Sequence, residues 1–334
     1  MRRFRWIGFG LALLYVGYRY LFRQPSLRPL RQAQPAQDYS EAIERLQRIQ
    51  AAETGAINPV CRTQLLTSGY KVAKAIILLH GFTNCPHQFS QLAAQFHARG
   101  YAVLNLRLPY HGLADRLTPD LMRLTMEEIL GLTTEAVDIA HGLGEEVTLL
   151  GFSLGGILAA WAAQHRADLD CAVLVSPALG LKVLPPLRSR PTANLLALLP
   201  NMFVWWDSVQ KAAKMDPLHA YPRYATRALA VLIRLGCLVQ LEAQQTKPAA
   251  HSIVLITNPS DQVVDNVVAQ AVANQWQRHC AVVHRHEFPQ AWNLLHDLMD
   301  PTQPDQQVAR VYPLLLEWVD SRAYQCATPG ENCA

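Results

Sequence analysis

Ser153 stands in the run Val147-Thr148-Leu149-Leu150-Gly151-Phe152-Ser153-Leu154-Gly155-Gly156-Ile157, where strand-type apolar residues enter Gly-x-Ser-x-Gly and an Ala-rich helical stretch follows as far as His165. A serine at this spacing, between a strand and a helix, is a nucleophile candidate. The turn is so tight that Gly151 and Gly155 must lack side chains, and its apex lifts the hydroxyl out of the sheet. The helix begins with free N–H groups, so Leu154 N–H can face a developing oxyanion. A serine hydroxyl is a weak nucleophile at neutral pH. It needs a base to take its proton, and the base needs an acid to fix its tautomer.

Two later loops offer those partners in the order acid, then histidine, that such a sheet requires. Asn258-Pro259-Ser260-Asp261-Gln262-Val263-Val264-Asp265 follows the apolar run Ile253–Thr257, and Trp292-Asn293-Leu294-Leu295-His296-Asp297 follows Ala281–Phe288. The set read from these loops is Ser153, Asp261 and His296. Asp265 falls in the first turn of a helix, where it offsets the helix dipole. His284 and His286 lie inside the strand and His279 precedes it, while Asp297 is too close along the chain to orient the ring of His296. A second oxyanion donor is expected after the first strong strand, in Leu78-Leu79-His80-Gly81-Phe82-Thr83-Asn84-Cys85-Pro86. Gly81 permits an unusual backbone there, and Phe82 N–H can face the same point as Leu154 N–H. His80 reads as a structural hydrogen-bonder, Asn84 and Cys85 as pocket lining. Arg107, His111 and Asp115 close another strand on the same side and read as loop scaffolding.

The elements that must hold these residues alternate. Strands are expected at Ala75–Leu79, Tyr101–Leu106, Val147–Leu150, Ala172–Val175, Ile253–Thr257 and Ala281–Phe288. Helices are expected at Gln88–Arg99, from Met126 to Gly142, from Ile157 to His165, from Val264 to Trp276 and from Val308 to Val319. Such alternation gives a mostly parallel sheet flanked by helices, an α/β fold, with ligands at the carboxyl ends of the strands. The stretch 178–248 is too long for a simple connection and reads as an inserted helical cap whose Leu-rich runs and Trp205-Trp206 line an acyl pocket or simply pack onto the sheet.

At 334 residues and 50% apolar, the chain is large enough for one sizeable domain with an insertion. The net charge of +4 is small, and much of the basic excess lies in the first 31 residues. No basic stripe interleaved with aromatics points to nucleic acid. The seven cysteines form no C-x-x-C, so neither a zinc site nor a full disulfide framework is indicated, and pairing of Cys326 with Cys333 stays open. Residues 1–23 read as an uncleaved membrane-anchor helix with arginines on both sides, which leaves the side of the membrane unspecified. Residues 24–70 read as a linker and an amphipathic helix over Asp38–Glu53, 71–325 as the α/β domain with its insertion, and 326–334 as a tail.

His80-Gly81-Phe82, Gly151-Phe152-Ser153-Leu154-Gly155-Gly156, Asp261 within Ser-Asp-Gln-Val-Val, and His296-Asp297 together resemble the α/β-hydrolase superfamily. The nearest likeness is to its carboxylesterase and monoacylglycerol-lipase branch, which is grouped with serine aminopeptidases. The resemblance implies a hydrolytic acyl-enzyme route without metal or organic cofactor, on a carboxylic ester, with a lipid or long acyl ester as the favoured substrate. A peptidase or amidase on the same three residues is the alternative, and a catalytically silent binding member of the fold is the other. The oligomeric state has no signature in the sequence. The oxyanion loop, His-Gly-Phe-Thr, departs from the His-Gly-Gly form of many esterases. Arg-Leu-Pro-Tyr-His-Gly stands where many lipase relatives have Asp-x-Arg-Gly-x-Gly.

Overall fold

The computed structural model describes residues 15, 17, 19–24, 32–53, 55–209, 211 and 217–321. Seven strands form one sheet: β1 (Gln64–Leu66), β2 (Val72–Leu79), β3 (Tyr101–Leu106), β4 (Gly144–Phe152), β5 (Cys171–Val175), β8 (Ser252–Thr257) and β9 (Val283–Glu287). Their spatial order is β1-β3-β2-β4-β5-β8-β9, with β1 antiparallel to β3 and every other pair parallel. The inner strands β2 to β5 and β8 read as largely apolar runs because both faces are covered, whereas the edge strand β9, Val-His-Arg-His-Glu, is only partly buried. Along β2 the side chains divide by turns. Ala75, Ile77 and Leu79 enter the core beneath α1 (Tyr39–Ala52), α3 (Met126–Leu143) and α4 (Leu154–His165), while Ile76 and Leu78 enter the core beneath α2 (Ser90–Ala98) and α8 (Val308–Ser321). α7 (Asn266–Arg278) joins β8 to β9 on the first of these faces.

Local chemistry sets the helix starts. Asp38 caps α1 by accepting from Glu41 N–H, and Thr125 with Glu128 forms a capping box at α3. Asp265 lies one residue outside the helix it was expected to begin within. It is the N-cap of α7, its side chain accepting from Val267 N–H. The sheet also gains β1, a three-residue edge strand with no alternation to betray it.

Between β5 and β8 the chain is not wholly helical as expected. It carries α5 (Pro186–Leu198), an antiparallel pair β6 (Phe203–Trp205) and β7 (Arg223–Ala225), and α6 (Thr226–Gln245). α6 packs on α4, which holds this segment above the strand ends.

The membrane-anchor reading of residues 1–23, and with it the membrane as partner and location, is corrected. Among the described residues no helix is long and apolar enough to cross a membrane. Residues 1–14 lie outside the described residues. The described end of the segment is helical, is interrupted by Arg19, and is engaged by protein instead: Asn194 Nδ2 donates to the carbonyls of Tyr20, Leu21 and Arg23 at 3.3, 2.8 and 3.0 Å. Cys326 and Cys333, whose pairing the sequence left open, lie outside the described residues. Cys61 and Cys85, not singled out as a pair in the sequence, are joined by a disulfide, and Cys280 is disulfide-bonded as well.

Candidate active site

Ser153 sits at the end of β4 with φ +54°, a left-handed backbone that a non-glycine residue adopts only under constraint. The constraint is packing. A Cβ on Gly151 would run into the Gly155 backbone, and one on Gly155 into the carbonyl of Leu79. Ser153 occupies the N-cap position of α4, yet its side chain makes no capping bond. Its hydroxyl is turned to His296, whose Nε2 accepts from Ser153 Oγ at 3.0 Å. A carboxylate can only accept, so the other ring nitrogen, Nδ1, donates to Asp261 Oδ2 at 2.7 Å. The tautomer that leaves Nε2 free to take a proton is thereby fixed.

Asp261 is fully buried at the end of β8, where its Oδ1 accepts from Val263 and Val264 N–H at 2.8 and 3.0 Å. Burial works against its charge, but the His296 hydrogen bond and charge and the two amides outweigh it and hold the carboxyl below its ordinary pKa. The ring of His296 leans on Phe152, centroids 5.1 Å apart.

Phe82 and Leu154 are buried, and among the described residues the N–H of neither has a protein acceptor. Buried orphan amides are rare, and these two flank the serine in the two segments the sequence singled out. The left-handed residue of the oxyanion loop is Thr83, φ +66°, and not Gly81. Gly81 is required for space, since a Cβ there would press on the ring of Phe152 at 3.1 Å. The Gly81 peptide is clamped from both sides. His80 Nδ1 donates to Gly81 O at 2.9 Å and Gly81 N donates to Gln88 Oε1 at 2.8 Å, while Leu108 N–H donates to His80 Nε2 at 3.1 Å. His80 is thus a structural hydrogen-bonder, and burial pushes its pKa well below the usual value.

The other candidates fall away from the chemistry. Arg107 holds the His111 carbonyl at 2.9 Å and Glu53 at 3.3 Å, and Asp115 caps its own turn through Leu117 N–H. His284 and His286 lie on β9, and His279 ends α7. Cys85 is locked in its disulfide. Asn84 does line the cavity, as does Asp297, which accepts from Asn84, Gln88 and Gln303 side chains at 3.2, 2.9 and 3.0 Å. Burial and the charge of Asp300 push Asp297 upward. No motif or periodicity marks the pair His219 and Asp300, joined at 2.8 Å, because both stand in loops. Burial works against the Asp300 charge, but His219 and the hydroxyl and amide of Thr302 outweigh it and hold the carboxyl down to about 2.

Ser153, His296 and Asp297 open into a cavity of about 730 Å³. Ala178, Leu181, Val183, Leu229, Leu232 and Val263 make its apolar side, with Phe82, Trp206 and Tyr224 at one wall. Among the described residues no group of three or more His, Cys, Asp or Glu is placed to hold a metal ion.

Residues 76–311 match the family described as "Alpha/beta hydrolase family". A thermostable monoacylglycerol lipase of Bacillus sp. (strain H-257) is 26% identical over 191 residues, 57% of this chain and 71% of that protein. Among solved structures, one reported for the metagenome-derived lipolytic enzymes LipS and LipT superposes with a TM-score of 0.61 at 20% identity, covering 79% of this chain and 99% of that one. The monoacylglycerol lipase of Paleococcus ferrophilus superposes with a TM-score of 0.56 at 16% identity, covering 78% and 99%. The chain belongs to the α/β-hydrolase family, in its esterase and lipase branch. It is a serine-type hydrolase of carboxylic esters.

Proposed function

We propose that Ser153 is the nucleophile, His296 the general base and acid, Asp261 the residue that orients it, and the amides of Phe82 and Leu154 the oxyanion donors, acting on esters of long acyl chains. The observation that supports this is the relay from Ser153 Oγ through His296 to Asp261, at 3.0 and 2.7 Å. Ser153 Oγ attacks the ester carbonyl as His296 Nε2 takes its proton. The negative oxygen of the tetrahedral intermediate falls to the two unpartnered amides, each worth about 3 kcal/mol of barrier lowering. Asp261 stabilises the imidazolium, which passes its proton to the leaving alcohol. Water then releases the acyl group with the same base.

The 178–248 segment acts as a cap in this reading. Leu181, Leu229 and Leu232 offer an acyl chain an apolar wall, while Asn84, Gln88, Asp297 and Gln303 make a polar corner beside His296, suited to a small hydroxylated alcohol. The monoacylglycerol lipases among the relatives point the same way.

Ser153→Ala is expected to lose both ester hydrolysis and labelling by a fluorophosphonate probe while its thermal melt is retained. Full activity in that variant would remove the mechanism. On the parent enzyme, kcat/KM measured over an acyl-length series, with and without detergent micelles, is expected to rise with chain length. A preference for short soluble esters would sink the substrate class and leave the triad standing.

A further inference from the structure

We propose that Thr83, Trp206 and Tyr221 are positioning residues through which the cap sets the oxyanion loop. The proposal rests on the catalytic reading above. Thr83 is β-branched and sits at φ +66°, a genuine backbone outlier. Such a conformation persists only where its surroundings over-determine it, and it gathers where function demands a fixed shape. Here the surroundings are largely the cap. Tyr221 N–H donates to the Thr83 carbonyl at 2.8 Å, and the Trp206 indole Nε1 donates to Thr83 Oγ1 at 2.9 Å. An indole nitrogen can only donate, so the Thr83 hydroxyl must spend its own proton elsewhere, and it does so on the Phe82 carbonyl at 2.6 Å.

Phe82 is therefore held on both flanks. The peptide unit that carries its N–H is fixed through the Gly81 carbonyl by His80 Nδ1, and the next unit is fixed through the Phe82 carbonyl by Thr83. The first hold belongs to the sheet side of the enzyme, and the second is tied to the cap through the bonds that Trp206 and Tyr221 make to Thr83. Trp206 is half exposed at the cavity rim, with its ring edge-on to Phe82 at 6.3 Å and tilted against Tyr224 at 4.6 Å. A side chain that touches both the rim and the oxyanion loop lets the presence of an acyl group at the rim bear on the direction of Phe82 N–H. A hydrogen-bonded chain of this kind is worth more intact than link by link.

The test uses Thr83→Val, which removes the hydroxyl and keeps the shape, Trp206→Phe, which removes the indole N–H and keeps a ring, Thr83→Ser, which keeps the hydroxyl, and the double variant Thr83→Val/Trp206→Phe. Active sites are counted by fluorophosphonate titration, and kcat and KM are measured on a long-chain ester with Ser153→Ala alongside. The expected result is a loss of about tenfold or more in kcat per active site for Thr83→Val and Trp206→Phe with KM little changed. Thr83→Ser should retain most of the parental kcat, and the double variant should be no worse than the worse single one. Unchanged kcat per site, or a fall in melting temperature without a fall in kcat per site, overturns the proposal. Activity that survives Ser153→Ala would instead overturn the catalytic reading beneath it.

Discussion

His111 shows what burial does to a titratable group that the chemistry does not use. Its Nδ1–H donates to the Pro109 carbonyl at 2.8 Å, its Nε2 has no partner among the described residues, and burial lowers its pKa to about 4. Protonation would create a buried donor with nothing to receive it. The native chain therefore binds fewer protons than the unfolded one between pH 4 and 6.5, and stability is lost as pH falls through that window. The loss from His111 alone is on the order of 3 kcal/mol, and the neighbouring His80, its pKa lowered by the same burial, adds to it. Urea denaturation followed across this range should show a midpoint that drops steadily with acid, and the dependence should be shallower in His111→Asn. Asp261 does not obscure the result, because its depressed pKa draws on stability only below the ordinary carboxylate range. At this scale the sequence was informative wherever a motif ties residue type to backbone shape. The serine turn was legible for that reason, and the loops after β8 and β9 were singled out by their place in the order of strands. Thr83 was not, since its conformation is imposed by Trp206 and Tyr221, over a hundred positions downstream.

Among the elements, α1 is held by charge as much as by apolar contact. Its apolar positions Ala42 and Leu46 are buried and Tyr39, Ile43 and Ile49 partly so, and Arg45 among them is only 3% exposed. The Arg45 guanidinium reaches Asp138 on α3 at 3.2 Å and Glu135 at 2.8 Å, and Asp138 also receives Arg166, just after α4, at 2.7 Å. One fully buried carboxylate thus ties three helices. Asp138→Ala would leave two buried cations short of a partner and should cost about 3–5 kcal/mol in a denaturation midpoint, well beyond the effect of Glu41→Ala, whose pairing with Arg45 is partly exposed. The amphipathic period announces that this helix lies on the domain. It is silent on the buried arginine, because charge pairs of this kind are set by tertiary neighbours. The same limit hid β6 and β7, three residues each, which pair with one another and show no alternation. The inner parallel strands were plain because each is covered on both faces.

For the whole molecule, the reading from sequence erred most at the amino end, where hydropathy alone suggested a span. The described part of that segment instead gives its last carbonyls to Asn194, and Phe22 lines a groove together with Pro186, Leu187 and Cys237. The cross-link between Cys61 and Cys85 has a broader consequence. It closes a stretch of 24 residues, enough to remove about 3 kcal/mol of chain entropy from the unfolded state, and its second half-cystine lies three positions after Phe82. Glutathione in a reducing cytosol keeps such thiols apart. An enzyme harvested from that environment would therefore differ from one matured under oxidising conditions in the very loop that is to receive the substrate's oxygen, so the choice of expression host belongs among the variables of any assay.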